Sequence, residues 1–209
     1  MTAPVFVMAG GRGSRMRPSP TEKPLLEVHG IPLVERVRIA LLRARVRDPV
    51  IVTSPWTPRT EAWVKEKGWS FVRSPGKGYV PDVQWLLEGC DRLLTVAADL
   101  PFLRTGPLRA LHGLAARAPG PLAGVLPEAE AFPGSRPSRD GRVRVPGLGP
   151  CRYVGINVVL ASSPGEPSRG FHVLHDPWMG VNVNTLTDWR RARAMASTFP
   201  EEGAFRRRD

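Results

Sequence analysis

The chain has 209 residues, 42% hydrophobic and 23% charged; that length carries one substantial core and would cramp two domains, and no apolar run approaches the roughly 20 residues of a membrane span. Thirty Lys and Arg against 19 Asp and Glu give a formal net charge of +11, but the excess is mostly arginine scattered among Ala, Gly and Pro, as a GC-rich coding sequence produces, and no basic helix with interleaved aromatics marks a nucleic-acid binder. Cys90 and Cys151 stand far apart outside any C-x-x-C, which argues against a disulfide framework or cysteine zinc site; with no secretory pattern at the N-terminus, reduced thiols in a cytoplasm are expected.

The first predicted element is the apolar run Val5-Phe6-Val7-Met8-Ala9, which lacks alternation and suits a strand covered on both faces. It breaks into Gly10-Gly11-Arg12-Gly13-Ser14-Arg15-Met16. Glycines there let successive backbone N–H groups point into one concavity, a nest for phosphate oxygens, and Arg12, Arg15 and Lys23 can add charge to the same anion. Leu33, Val34, Val37, Leu41 and Leu42 then fall at helical spacing. A strand over 49–53 ends at Ser54-Pro55-Trp56-Thr57-Pro58, a helix over 59–67 is capped by Gly68, and a strand over 69–73 leads to the loop Ser74-Pro75-Gly76-Lys77-Gly78. A helix over 80–89 and a strand over 92–97 follow, the latter delivering Asp99.

A helix over 105–118 and a strand over 122–126 continue the pattern. The stretch 127–150 is rich in Pro, Gly and Arg, with a hairpin expected at Ser138-Arg139-Asp140-Gly141-Arg142, and reads as an insertion or mobile loop. Residues 153–160 return to strand character, Val181-Asn182-Val183-Asn184 reads as a last short strand, and Thr185 caps a C-terminal helix with Asp188 three residues on. The run Arg206-Arg207-Arg208 is expected to be a solvated tail. Regular alternation of strand and helix predicts a parallel sheet whose ligands bind beyond the carboxyl ends of its strands, where the two glycine loops and Asp99 would meet. One domain over 1–209 is expected.

Two familiar glycine loops are absent. Gly11-Arg12-Gly13 is followed by Met16 where the dinucleotide fingerprint needs a third glycine, and Gly76-Lys77 is followed by Gly78, with Phe71 at the first glycine position of a P-loop. His29, His112, His172 and His175 share no metal-ligand spacing with the cysteines, and no nucleophile elbow occurs.

The loop A-G-G-x-G-[ST]-R-M followed by Lys23-Pro24-Leu25 resembles the nucleotidyltransferases that join a nucleoside triphosphate to a phosphorylated acceptor. Further stretches resemble a narrower group, the archaeal-type GTP:adenosylcobinamide-phosphate guanylyltransferases: Thr53-Ser54-Pro55-Trp56-Thr57-Pro58, Gly76-Lys77-Gly78-Tyr79, Asp99-Leu100, Gly155-Ile156-Asn157-Val158-Val159 and Asn182-Val183-Asn184-Thr185. The resemblance implies a Rossmann-like three-layer α/β/α nucleotidyltransferase fold with a mostly parallel central sheet. It implies transfer of GMP from GTP to a phosphorylated corrinoid. The nucleotide loop would be Ala9, Gly10, Gly11, Arg12, Gly13 and Ser14, with Arg15, Lys23 and Asp99 catalytic and Asp99 holding Mg²⁺. Many relatives supply a second carboxylate where this chain has Asn184; Asn184 can still offer a carbonyl oxygen, and Asp176 is a nearby reserve.

Guanine presents N1–H and N2–H₂ donors, so its pocket needs backbone groups and a carboxylate or hydroxyl. Gly76 and Gly78 allow close backbone approach, Thr53 and Ser54 can line the pocket, and Asp82 reads equally as a base acceptor or a first-turn helix carboxylate. Gly155 and Asn157 are the expected acceptor contacts. Another nucleotidyltransferase of the same superfamily, with a molybdopterin or sugar-phosphate acceptor, and a non-catalytic nucleotide-binding regulator are the rival readings. Nucleic-acid binding ranks last, and self-association stays open.

Overall fold

The apolar run after Pro4 forms β1 (Val5–Met8), whose side chains divide between two cores: Val5 and Val7 enter one, Phe6 and Met8 pack on the other. Burial on both faces is what a run without alternation specifies. The structure is a computed structural model that describes residues 3–16, 19, 21–133, 135, 141–162 and 170–200. After β1 come a small hairpin of β2 (Glu27–Val28) and β3 (Ile31–Pro32), then α1 (Leu33–Arg43), β4 (Val50–Thr53), α2 (Pro58–Glu66), β5 (Phe71–Arg73), α3 (Tyr79–Leu87) and β6 (Arg92–Ala97). The four strands β5, β4, β1 and β6 lie side by side and parallel, with Val7 opposite Ile51 on one flank and Val96 on the other.

The second half is built differently. It comprises α4 (Thr105–Ala115), β7 (Leu122–Pro127), β8 (Arg142–Val145), the long β9 (Gly149–Leu160), β10 (Gly170–Val173) and α5 (Leu186–Met195). β9 runs antiparallel between β6 and β7, β8 pairs back onto it, and β10 lies parallel to β7 at the edge of the eight-stranded sheet. Val34, Val37 and Leu41 of α1, Val64 of α2, and Leu108 and Leu111 of α4 fill the core on one face; Val83, Leu86 and Leu87 of α3 cover the other. The result is the expected three-layer α/β/α arrangement. Leu41 and Leu94 are fully buried, so truncating either to Ala costs about 2–5 kcal/mol.

A third core is built around aromatic side chains. Phe102, Trp178 and Phe199 meet with ring centroids 4.9–5.1 Å apart, joined by Phe132. Met16, Leu26, Val181 and Val183 pack into the same cluster. Residues far apart in sequence are thereby fastened beneath one region of the sheet edge.

Several expectations change. Residues 181–184 are extended but form no strand: a 3₁₀ turn (Pro177–Gly180) precedes them, and a single backbone bond, Val183 N–H to the Asp99 carbonyl at 3.0 Å, ties them to the end of β6. Their apolar alternation is satisfied by the aromatic core, without a partner strand. The hairpin expected at Ser138-Arg139-Asp140 falls outside the described residues. The described reversal is at Pro146-Gly147-Leu148, where Leu148 N–H donates to the Val145 carbonyl and Gly147 takes φ +75°. Part of the Pro-rich stretch is thus strand, and β9 begins four residues earlier than its apolar run. The tail Arg206-Arg207-Arg208 also lies outside the described residues.

Candidate active site

β1 ends where its backbone stops pairing. Ala9 N–H still donates to the Val52 carbonyl at 2.9 Å, and the chain next pairs with itself at Met16, whose N–H donates to the Gly13 carbonyl at 2.9 Å. Gly13 has φ +60°, and Met16 is buried in the aromatic core, so the loop is fixed at both ends. Thr53 and Ser54, expected to line a base pocket, are fully buried behind this loop. Ser54 Oγ donates to the Gly10 carbonyl at 2.6 Å, while Thr53 Oγ1 donates to Glu61 at 3.1 Å. A Cβ on Gly10 would sit 2.9 Å from Ser54 Cβ. The Ser54 hydroxyl is spent supporting the glycine loop from below and the Thr53 hydroxyl on α2 and β5, which is a correction to their expected contact with a base.

Asp99, Lys23, Arg15 and Asn184 converge beside that loop. Lys23 Nζ lies 2.5 Å from Asp99 Oδ2 and donates to Asn184 Oδ1 at 3.2 Å; Arg15 Nη2 reaches the same Asn184 oxygen at 3.1 Å. Lys23 owes its place to its neighbour. The Glu22 carboxylate accepts from Arg59 N–H at 2.8 Å, Thr60 N–H at 2.7 Å and Thr60 Oγ1 at 2.6 Å, capping the first turn of α2 and anchoring the 3₁₀ turn Lys23–Leu25. A carboxylate at a helix N-terminus is stabilised by both the free N–H groups and the helix dipole. Asp99 Oδ1 is buried with no hydrogen-bond partner. Asp176 is spent elsewhere: it pairs with Arg104 at 3.3 Å and caps the 3₁₀ turn after it through Trp178 N–H at 3.0 Å.

The second glycine loop closes on itself. Gly76 has φ +70° and Gly78 φ +122°. Asp82, 5% exposed, accepts from Lys77 N–H at 3.1 Å, and its own N–H donates to the Gly78 carbonyl at 3.0 Å. Asp82 thus clasps the loop and also lines the cleft.

Two connected cavities occupy this edge. One of about 280 Å³ is bordered by the first loop, Lys23, Asp99 and Asn184. The other, about 530 Å³, runs from Gly10 and Gly11 past Gly76, Gly78 and Asp82 to Gly155, a size typical of small-molecule sites. Asn157 does not border either cavity; its Nδ2 donates to the Tyr79 hydroxyl at 2.8 Å, which also bonds Thr95 Oγ1 at 2.9 Å. Burial pushes the Tyr79 hydroxyl above its usual range, and the two hydrogen bonds only partly offset this. Tyr79, Tyr153, Trp56 and Asn182 line the larger cavity and were missed in the sequence. Tyr153 carried a readable signal, since it stands two residues before Gly155 on one strand face.

Cations outnumber carboxylates here. Arg12, Arg15, Lys23 and Lys77 border the larger cavity against Asp82 and Asp99, so the cleft suits an anion of several charges. Among the described residues no three His, Cys, Asp or Glu side chains gather as a metal cage, and no helix is long and apolar enough to cross a membrane.

Residues 5–146 match the MobA-like NTP transferase domain. The chain belongs to that family. The family match covers β1 through β8 and therefore both glycine loops, Lys23 and Asp99. The adenosylcobinamide-phosphate guanylyltransferase of Methanocaldococcus jannaschii is 29% identical over 202 residues, covering 91% of this chain and 95% of that protein. Among solved structures, a glucose-1-phosphate thymidylyltransferase from Bacillus anthracis superposes with a TM-score of 0.73 at 17% identity, covering 96% of this chain and 98% of that one. A nucleotidyl transferase from Methanothermobacter thermautotroptrophicus gives 0.65 at 22% identity, over 94% and 98%. At these identities the MobA-like chain shares the fold of both.

Proposed function

We propose that this MobA-like transferase moves GMP from GTP onto adenosylcobinamide phosphate, releasing pyrophosphate and giving adenosylcobinamide-GDP. The observation that carries the reading is the meeting of Lys23, Asp99, Asn184 and Arg15 at the mouth of a glycine nest, inside a cleft that continues to Gly155. The near full-length likeness to a guanylyltransferase of that name supplies the acceptor and the base.

In this reading the backbone N–H groups of residues 10–14 hold the triphosphate, and Arg15 and Lys23 neutralise charge on the departing pyrophosphate. An oxygen of the acceptor phosphate attacks the α-phosphorus in line. The new P–O bond forms as the bond from α-phosphorus to the bridging oxygen breaks, and the electron pair leaves with pyrophosphate. No general base is required, because a phosphate monoester with a second pKa of about 6 is largely dianionic near pH 7. The chain's task is positioning and charge neutralisation.

The site fits Mg²⁺. Asp99 Oδ1 is a buried carboxylate oxygen without a partner, and one or two carboxylates plus substrate phosphates are the usual ligands of that ion. Asp99 would hold it, with the Asn184 carbonyl beside it, and when bound it supplies screening between two anionic reactants.

The test is pyrophosphate release from purified protein mixed with GTP, Mg²⁺ and adenosylcobinamide phosphate, with ATP and acceptor-free samples as controls. Release requiring both GTP and the corrinoid is the expected result. Nucleotide binding without release under every condition would overturn the catalytic reading.

A further inference from the structure

Trp56 lies at the junction of the two glycine loops. The turn that carries it is closed by four hydrogen bonds: Trp56 N–H donates to Ser54 Oγ at 3.1 Å, Thr57 N–H and Thr57 Oγ1 to the Ser54 carbonyl at 3.0 and 3.4 Å, and Ser54 N–H to Thr57 Oγ1 at 3.1 Å. Pro55 and Pro58 flank it in sequence, and their locked φ angles narrow the backbone further. The indole is therefore presented at a fixed place although the residue is 46% exposed.

Each part of that indole meets a different side of the cleft. Nε1–H donates to the Gly76 carbonyl at 2.8 Å. The ring edge is packed against the Gly76 backbone, where an added Cβ would stand 2.9 Å from Cδ1 and 3.0 Å from Nε1. The ring face carries the Arg12 guanidinium, centred 4.1 Å above it. A guanidinium held over a ring by cation–π attraction keeps its N–H groups for phosphate oxygens, so the contact aims the group without consuming its donors. Arg12 and Gly76 border the same 530 Å³ cavity, the first on its phosphate-loop side and the second on its base-loop side.

We infer that Trp56 is a positioning residue that couples the two halves of the nucleotide site, setting the base loop through Gly76 and the phosphate-side charge through Arg12. The inference rests on the reading that this cleft takes a nucleoside triphosphate. A base that displaces the Gly76 carbonyl also tilts the platform under Arg12, so base choice and triphosphate grip are linked through one side chain.

Dissociation constants for GTP, ATP, GMP and AMP, measured by calorimetry with melting midpoints alongside, test it. Trp56→Phe keeps a ring for Arg12 and removes the N–H; the GTP-to-ATP preference falls about fivefold, the worth of one hydrogen bond, while the GTP-to-GMP ratio stays at the parental value. Trp56→Leu removes both functions, and both ratios fall. Gly76→Ala pushes the indole away from the base loop, and it too lowers the GTP-to-GMP ratio, a phosphate-side effect of a base-loop change. Parental GTP-to-GMP ratios in Trp56→Leu and Gly76→Ala would overturn the coupling, as would a parental GTP-to-ATP preference in Trp56→Phe. If the parent itself does not prefer GTP, the guanylyltransferase reading fails on its own account. The ATP-to-AMP ratio then carries the same test of Trp56.

Discussion

The two glycine loops leave β1 and β5, parallel strands with β4 between them, at the same edge of the sheet, yet they are held in different ways. The first is supported from behind, by Ser54 on the Gly10 carbonyl, and from beyond, by Met16 in the aromatic core. Its own Arg12 and Arg15 are joined there by Lys23 from the next turn, itself set by Glu22 on α2. The second is clasped by a carboxylate of its own helix, Asp82, and by the Trp56 indole. A loop with bare N–H groups and clustered cations suits an anion such as phosphate. A loop closed around a buried carboxylate is built to fix a shape. Glycine content alone marks both and separates neither.

The sharpest way to break that comparison is Asp99→Asn. The isosteric change removes the carboxylate charge while both loops stay in place, so turnover falls at least about a hundredfold, the scale of losing one electrostatic stabiliser of a transition state. GTP affinity, measured by calorimetry, moves far less. Turnover within a few fold of the parent would show Asp99 to be a partner for Lys23 and nothing more. Gly10→Ala acts first on the first loop. Its methyl would stand 2.9 Å from Ser54 Cβ and 3.1 Å from the Thr53 carbonyl carbon, and overpacking of this kind costs about 1–3 kcal/mol. Triphosphate affinity should fall about tenfold on that scale while the GTP-to-ATP preference is kept.

Asp82→Asn tests the second loop with a smaller expected effect. An asparagine oxygen still accepts from Lys77 N–H, so the clasp survives and only the charge is lost. The GTP-to-ATP preference should drop about fivefold, the difference of about 1 kcal/mol between a charged and a neutral acceptor, with pyrophosphate affinity unaltered. An unchanged preference would make Asp82 a clasp only, the other meaning its position in the first turn of α3 allows.

How much of this was legible in the sequence follows the same division. The parallel half was readable because β1, β4 and β6 are apolar runs punctuated by Gly, Pro and Asp, and β6 (Arg92–Ala97) ends as its apolar run does. The chemistry of the first loop was readable for a related reason: a nest depends on backbone, and glycine announces it. The C-terminal half was harder. Val181 and Val183 alternate as a strand would, but their burial comes from Phe102, Trp178 and Phe199, a tertiary context no local pattern carries. Thr53, at the end of β4, and Ser54, in the turn after it, turn their hydroxyls inward to Glu61 and the Gly10 carbonyl, a direction that no local pattern announces. The amide of Asn157, expected near the acceptor, donates to the Tyr79 hydroxyl, a partner from α3 that the strand pattern does not name. The one local signal for Tyr79 is its position directly after Gly78, at the first residue of α3.

The smallest predicted effect falls where the two loops share one atom. Ser54 Oγ donates to the Gly10 carbonyl at 2.6 Å and accepts from Trp56 N–H at 3.1 Å, so one hydroxyl serves the phosphate loop and the turn beneath the indole. Ser54→Ala leaves both partners without it. Each lost bond is worth about 1 kcal/mol, so the melting midpoint should fall by a few degrees. The Gly10 carbonyl, freed from below, lets the nest relax, and triphosphate affinity should fall about threefold on the same scale. Base preference should hold, because Trp56 remains fixed by Gly76 and by the Thr57 bonds that close its turn. A loss of base preference larger than the loss of triphosphate affinity would reverse the assignment, making Ser54 a support for the second loop first and for the first loop only through it.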